Sequence, residues 1–276
     1  MGLTIRQNLM AESALRNLGA TYRQLHESIT ALSSGLRINS ADDDAAGMAV
    51  RELMRADVAS YRQGVRNAND AISMLQTYDG ACQVIDEKLI RMKELATQAS
   101  TGSYSDDQRT LMQDEFDKMR LELNRIATAT QFNGVFGLTS ASGSIKIHFG
   151  RANDATMDFY KITTADLTSS SLGLNDLTLA NQTSAQGALD AISSAIVAKD
   201  TARAGFGAMM NRLRNTVANL EIQTENIMAA ESQMSDVDVA SEMAKLTRNQ
   251  VMAQAGVAML IQANSVPMMA LALLGA

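Results

Sequence analysis

Few side chains in this sequence of 276 residues could carry out chemistry. The two histidines, His26 and His148, have no second histidine, cysteine or acidic cluster at the spacing that metal ligands need. Glycine-rich phosphate loops, zinc-binding histidine pairs and nucleophilic serine turns are also missing from the sequence. We therefore predict that the chain is not an enzyme and has no catalytic, cofactor-binding or metal-binding residues.

The remaining candidates for chemistry are one cysteine and one run of acids. Cys82 is the only cysteine, so no disulfide can form within the chain, and its apolar helical surroundings predict a buried packing role. Calcium loops place acids at alternating positions, with a glycine and a closing glutamate, whereas Asp42, Asp43 and Asp44 are consecutive. We expect Ser40 to be a helix N-cap, with these acids compensating the positive end of the helix dipole.

The composition favours long helices that could position such residues. The chain has one proline, no tryptophan, five tyrosines and six phenylalanines, although 46% of its residues are hydrophobic. An all-β sandwich or barrel needs turn residues about every 8 to 12 positions. Aliphatic residues and methionine suit narrow seams between helices instead.

The charge and the apolar runs exclude two kinds of partner. The net charge of −6 does not provide the basic face that nucleic acid requires. Polar residues and Pro267 interrupt the apolar stretch at 256–276, so it falls short of the roughly 20 apolar residues of a spanning helix. The N-terminus lacks the apolar core of a cleavable signal peptide. We predict neither a nucleic-acid partner nor a membrane span.

Heptad-like stripes predict a helix at each end of the chain. Apolar steps of three and four run from Ala11 to Leu32 and again from Val239 to Leu260. We expect these two arms to pair in antiparallel fashion. The candidate packing residues at their seams are Leu15, Leu18, Leu25, Ile29, Leu32, Met243, Leu246, Val257 and Leu260. Because these seams are thin, we expect both termini to be mobile in a free monomer and ordered when copies pack.

Further helices are predicted between the two arms. One carries a stripe from Tyr61 to Leu95, and the next is capped by Ser105 and closed by Asn133-Gly134. Helical pattern returns at Ala188.

The centre of the chain differs in kind. Alternation at 145–150 and 157–162 predicts one β-hairpin, and 168–184 is typical of an exposed loop. Pro267 is expected to bend or end the last helix. The predicted fold is mainly α, a long antiparallel helical bundle or coiled coil with one small hairpin region.

Specific motifs then resemble one family. Residues 31–50 read ALSSGLRINSADDDAAGMAV and resemble the LSSGLRINSAxDDAAG signature of bacterial flagellins. Matches continue in order at 63–73, 92–99 and 130–134, then at 230–243 and 262–267, where the sequence reads QANSVP. The resemblance covers about residues 1–136 and 188–276.

The resemblance implies a structural subunit of the flagellar filament used for swimming. Residues 1–40 and 235–276 would form the inner coiled-coil domain D0, and 41–234 the rod domain D1, with 135–180 in place of outer domains. The packing residues would line the inner tube. The implied partners are other flagellin copies, junction and cap proteins, and a C-terminal export chaperone, with secretion by the type III apparatus to an extracellular flagellum.

The resemblance also implies an epitope for Toll-like receptor 5. Its determinants correspond to Arg91, Leu95 and Glu115. Leu95 also lies on the packing stripe, and Arg91 and Leu95 form a simple i,i+4 pair. Two other functions stay open from the sequence: a hook-filament junction protein, and a helical translocator or effector of a type III system.

Overall fold

The computed structural model describes residues 7–139 and 143–274. It divides into two compact units, of residues 1–56 with 226–276 (unit 1) and residues 57–225 (unit 2). The described elements are α1 (Leu9–Ser34), α2 (Ala45–Ala99), α3 (Asp106–Ala129), β1 (Gln131–Phe132), β2 (Val135–Phe136), β3 (Ser144–His148), β4 (Phe159–Thr163), α4 (Gln182–Ser235) and α5 (Val239–Leu274). The predicted mainly α-helical fold is confirmed. The signal-peptide prediction concerns residues 1–6, which lie outside the described ranges.

Unit 1 contains the antiparallel pair of α1 and α5. The side chain of Asn8 caps α1 by accepting a hydrogen bond from the Ala11 N–H (3.0 Å), as expected of a helix N-cap. The Asn8 Nδ2 donates to the Ala263 carbonyl (2.8 Å) near the end of α5. Ser28 Oγ donates to Glu242 Oε1 (2.7 Å) near its beginning. The predicted pairing of the first and last arms is therefore confirmed.

The predicted N-cap at Ser40 is wrong, because α2 begins after Asp44. Asp44 Oδ1 accepts the Gly47 N–H (2.9 Å) and so caps the helix. Asp43 Oδ2 accepts the backbone N–H groups of Ser40 and Asn39, each at 2.9 Å. These bonds hold the pKa of Asp43 below its usual value. Asp43 therefore closes the turn that contains Ser40, and the next residue, Asp44, caps α2.

Unit 2 has a core of buried side chains from α2, α3, α4 and the segment after the hairpins. The Tyr78 and Phe206 rings pack at 6.2 Å between centroids. Cys82 is fully buried, as its apolar surroundings predict, and burial raises its pKa to about 12. The predicted Ser105 cap of α3 is also found, as a capping box with Gln108.

The structure has two hairpins among the described residues, where the sequence predicts one. β3 and β4 pair in antiparallel register, with Ile145 opposite Ile162, and confirm the predicted hairpin. The prediction that Asn133-Gly134 closes α3 is wrong, because α3 ends at Ala129. The two residues have φ values of 48° and 80° and join β1 to β2. Two consecutive positive φ values are those of a tight two-residue hairpin turn.

The prediction of an exposed loop over 168–184 is also wrong. Leu172, Leu174 and Leu179 are buried in the core of unit 2. α4 begins at Gln182 rather than Ala188. The leucines have neither a helical nor a strand period, so the sequence pattern carries no sign of their burial.

The sequence predicts that Pro267 bends or ends the last helix. Pro267 lies inside α5, which continues to Leu274, so the helix does not end there. A helical proline removes one N–H and leaves the carbonyl four residues earlier without its donor. Here that carbonyl belongs to Ala263 and accepts the Asn8 side chain instead.

Candidate functional site

α1 carries two apolar rows along its length. The inner row consists of Leu18, Leu25 and Leu32, which are buried or half-buried. The outer row consists of Leu15, Tyr22 and Ile29, which are 58%, 50% and 48% exposed. A step of three residues turns a helix by about 300°, so the rows lie roughly 60° apart. Only the inner row is covered, by α5 of the same unit.

α5 also exposes apolar side chains on several sides. Val257 and Met259 are both exposed, although a step of two residues points them roughly 160° apart. Other exposed apolar residues of α5 are Val239, Met243, Val251, Met252, Ile261, Met268 and Met269. α1 therefore covers one side of α5 and leaves the rest to solvent.

An apolar groove of about 650 Å³ lies between α1 and α5. We call it the methionine groove, because Met10, Met252 and Met259 line it together with Leu18 and Gly256. A Cβ atom on Gly256 would come within 3.0 Å of Leu18 Cδ1. The absence of a side chain at Gly256 therefore allows the two helices to approach closely. The sequence does not predict this groove, because it depends on residues from both ends of the chain.

The structure divides the predicted packing residues into two groups. Leu18 is buried, and Leu25, Leu32, Leu246 and Leu260 are half-buried. Leu15, Ile29, Met243 and Val257 are exposed. The first group contributes to packing within unit 1, while the second is available for contact with another molecule.

The predicted receptor residues lie in unit 2, and two of them form an ion pair. Arg91 on α2 donates from Nε to Glu115 Oε1 on α3 (2.9 Å), and from Nη1 to Glu94 Oε2 (3.0 Å). The bonds to Glu115 and then Glu94 raise the pKa of Arg91. The side chains of Arg91 and Glu115 are 48% and 40% exposed, so the pair lies at the surface.

Leu95, the third predicted receptor residue, is buried in the core of unit 2. Its neighbour in sequence, Glu94, is exposed and holds Arg91 from the same helix. Leu95 therefore supports the helix face that presents Arg91, and it is not itself at the surface.

A buried lysine in unit 2, paired with carboxylates that are partly exposed, was not predicted. The Lys199 side chain is 2% exposed, and its Nζ lies 2.5 Å from Asp86 Oδ1 and 2.7 Å from Asp200 Oδ1. Burial lowers the pKa of Lys199, but its bonds to Asp200 and Asp86 outweigh this and leave the pKa raised. Arg203 Nε lies 2.7 Å from Asp79 Oδ1 beside them. The heptad spacing of Asp79 and Asp86 is the signal that could have located this cluster.

The two histidines lie in different units, His26 in unit 1 and His148 in unit 2. Both are exposed, and His148 Nε2 lies 2.7 Å from the Ala152 carbonyl. Within 7–139 and 143–274, no group of three or more His, Cys, Asp or Glu could hold a metal ion. In the same ranges, no helix is long and apolar enough to cross a membrane.

These features define a class of protein: a helical structural subunit whose terminal helix pair leaves much of its apolar surface uncovered. Comparison with known proteins agrees with that class. The sequence-family model for the bacterial flagellin N-terminal helical region matches residues 5–141. The family model for the C-terminal helical region matches residues 189–274. The chain therefore belongs to the bacterial flagellin family.

Individual relatives extend over the whole chain. It is 40% identical over 272 residues to a flagellin of Halalkalibacterium halodurans, covering 99% of this chain and 100% of that protein. It is 36% identical over 278 residues to a flagellar filament 31.3 kDa core protein of Treponema maltophilum, covering 95% of this chain and 96% of that protein. The crystal structure of Bacillus cereus flagellin is 31% identical, with a TM-score of 0.51, and covers 60% of this chain and 94% of that one.

The chain is a structural subunit of the bacterial flagellar filament, and the junction-protein and effector alternatives are not favoured.

Proposed function

We propose that copies of this chain pack through the outer row and the methionine groove, with α1 and α5 forming the inner tube of the filament. One observation carries the proposal: the two apolar surfaces lie on different sides of one helix pair. On α1, Met10 of the groove and Leu15 of the outer row lie roughly 140° apart. A contact between different surfaces of two copies is heterologous, and it builds an open helical filament when it does not close into a ring.

The thin core of the α1–α5 pair supports this proposal. Among the described side chains, α1 buries one large apolar residue, Leu18, and α5 buries Ala253 and Ala263. Burial contributes about 25 cal/mol per Å², while ordering costs about 1–2 kcal/mol per residue. Neighbouring copies would cover the outer row together with Met243 and Val257, and add the burial that the pair lacks.

We propose residues 1–40 and 235–276 as the D0 domain, and 41–234 as D1. Residues 135–180 then replace the outer domains of larger flagellins. The β3–β4 hairpin lies in this segment, and Leu172 and Leu174 attach it to the core of unit 2. The compact terminal unit extends beyond the proposed D0, to residue 56 and from residue 226.

We propose export by the flagellar type III apparatus to the cell exterior. Before assembly, α5 exposes Ile261, Met268 and Met269, and an exposed apolar surface of this kind promotes aggregation. An export chaperone on the C-terminal region would shield it. Junction and cap proteins would contact the same helices at the filament ends. We propose no enzymatic activity, no cofactor and no nucleic-acid partner.

We also propose that the surface around Arg91 and Glu115 binds Toll-like receptor 5. An exposed arginine with a fixed orientation is well suited to a protein interface, where arginine is enriched. Leu95 would act by packing beneath this surface.

Seeded polymerisation tests the assembly proposal. Leu15→Gln and Ile29→Gln should fold normally by circular dichroism, but raise the critical concentration for filament formation by about tenfold or more. Met157→Gln is the matched control, because Met157 is exposed in a loop of unit 2. Electron microscopy should show micrometre-long filaments for the parent and the control. If both outer-row variants polymerise like the parent, the outer row is not an assembly surface.

A further inference from the structure

Methionines are unusually numerous in this chain, and several are accessible. The sequence has 18 of them, against one cysteine. Met10, Met252 and Met259, at the methionine groove, are 61%, 42% and 62% exposed. On α5, Met252 and Met259 are seven residues apart and point to within roughly 20° of one another. Three thioethers therefore line a single open surface of unit 1.

The groove offers oxidants a thioether site, whereas the thiol of unit 2 is protected. The thiolate is the reactive form of cysteine, and Cys82 is fully buried with a pKa of about 12. Thioethers need no deprotonation and react where they are accessible.

We propose that Met10, Met252 and Met259 form an oxidation-sensitive site, and that their conversion to sulfoxides by hydrogen peroxide blocks packing of a second copy into the groove. This inference rests on the proposed function. In each reaction, one oxygen atom passes from peroxide to sulfur. The O–O bond breaks, an S–O bond forms, the sulfur loses two electrons, and the peroxide leaves as water. Sulfoxide reductases reverse the reaction.

The consequence differs between the free and the assembled chain. In the monomer the groove is open, so a sulfoxide oxygen keeps its hydrogen bonds to water, and oxidation does not further weaken the pairing of α1 with α5. Covering the groove with a second copy removes that water, and an unpaired polar oxygen in an apolar contact is unfavourable. Oxidation therefore acts on assembly rather than on folding. An assembled filament protects the same three sulfur atoms, because the neighbouring copy covers them.

Peroxide treatment of monomer and filament tests the site. After treatment of the monomer, peptide mass mapping should find sulfoxides at Met10, Met252 and Met259, with circular dichroism unchanged. The critical concentration in seeded assembly should rise by about tenfold or more, and methionine sulfoxide reductases A and B should restore it. In filaments treated in the same way, these three residues should stay largely unmodified, while Met157, 75% exposed in unit 2, should react in both states.

The triple variant Met10→Leu, Met252→Leu, Met259→Leu is the decisive comparison. Leucine keeps the apolar volume and cannot form a sulfoxide, so treatment should raise the critical concentration of this variant much less than that of the parent. Met243, which neighbouring copies are also proposed to cover, is 47% exposed and is replaced by leucine in every chain of this comparison. Met157→Leu, as the matched control, should lose assembly on treatment as the parent does. The inference is overturned if the triple variant is as sensitive as the parent, or if the filament leaves the three residues as reactive as the monomer does. If the untreated parent forms no filaments when seeded, the proposed function itself fails.

Discussion

The side-chain amide of Asn8 donates a hydrogen bond to the carbonyl of Ala263 at 2.8 Å. This is the carbonyl that Pro267 leaves without a helical donor. The Oδ1 atom of the same Asn8 side chain accepts the Ala11 N–H and begins α1. One side chain thus completes the backbone hydrogen bonding of two helices in unit 1, and joins the start of α1 to the end of α5.

A double-mutant cycle should reveal this coupling. Asn8→Asp keeps the oxygen that caps α1 but loses the donor to Ala263, so it should destabilise the α1–α5 pair by about 1–2 kcal/mol. In Pro267→Ala, residue 267 regains its own N–H for that carbonyl, and the same change at Asn8 should cost less. Hydrogen exchange of the α1 amides measures both effects. Equal costs in the two backgrounds would show that Asn8 and Pro267 are independent.

The helices that could be predicted are those whose signal is local. Stripes at steps of three and four mark α1, α2 and α5, and Ser105 with Gln108 marks the start of α3. Burial of Leu174 and Leu179 depends on contacts with distant helices, so their segment has no pattern of its own. Continuation of α5 through Pro267 depends on Asn8, at the other end of the chain. No local rule includes such a partner.

The candidate surfaces could be predicted only in part. A single stripe locates Leu15 and Leu18 together, because both belong to one heptad pattern. Which of them stays exposed depends on where α5 lies, and on the close approach that Gly256 allows. Similarly, the motif around Arg91 gives no sign that Glu115, on another helix, holds its guanidinium.

The α1–α5 pair should weaken in acid through Glu242. Its carboxylate accepts a hydrogen bond from the Ser28 hydroxyl (2.7 Å), and this bond, followed by the one from Lys245, lowers the pKa of Glu242 below its usual value. Because the folded pKa is the lower one, the contribution to stability is present above the ordinary value and is lost as the pH falls below it. Hydrogen exchange of α1 should therefore accelerate as the pH falls through this window, after correction for the intrinsic rate.

Two substitutions separate this effect from general acid unfolding. Glu242→Gln should remove most of the additional pH dependence of α1. Glu12→Gln should keep it, because Glu12 is exposed and lies 3.9 Å from Arg16 within α1. If hydrogen exchange of α1 in Glu242→Gln has the same pH dependence as in the parent, another group is responsible.

Assembly should order the terminal helices. In dilute monomer we expect the amide hydrogens of α1 and α5 to exchange faster, by about tenfold or more, than those around Leu75 and Leu89 in the core of unit 2. Filament formation should slow exchange in α1 and α5, because neighbouring copies add the missing apolar burial. Full protection of both helices in the monomer would contradict this expectation.

The buried Lys199 should contribute more to stability than a surface ion pair. Lys199→Ala leaves Asp86 without its partner and creates a cavity, so it should cost about 1–3 kcal/mol in urea unfolding of the monomer. Arg125→Ala is the control, because Arg125 and Glu122 form an exposed pair and such pairs contribute little to stability. Similar losses from the two variants would mean that burial adds nothing to the Lys199 pairs.

Toll-like receptor 5 should recognise the charges of Arg91 and Glu115 directly. The presence of an ion pair between the two positions should not be enough. Arg91→Ala and Glu115→Ala should each reduce signalling through Toll-like receptor 5 in a reporter assay by about tenfold or more, because each removes a charged hydrogen-bonding group from the proposed interface. The exchange Arg91→Glu with Glu115→Arg keeps an ion pair but reverses the charges that face a partner. It should signal as weakly as the single variants if the surface binds the receptor. Arg125→Ala, which breaks a comparable exposed pair on α3, should signal like the parent.

If the two alanine variants signal like the parent, this surface does not bind the receptor. If the exchange variant signals like the parent, the ion pair only supports the fold, and the receptor does not recognise the individual charges.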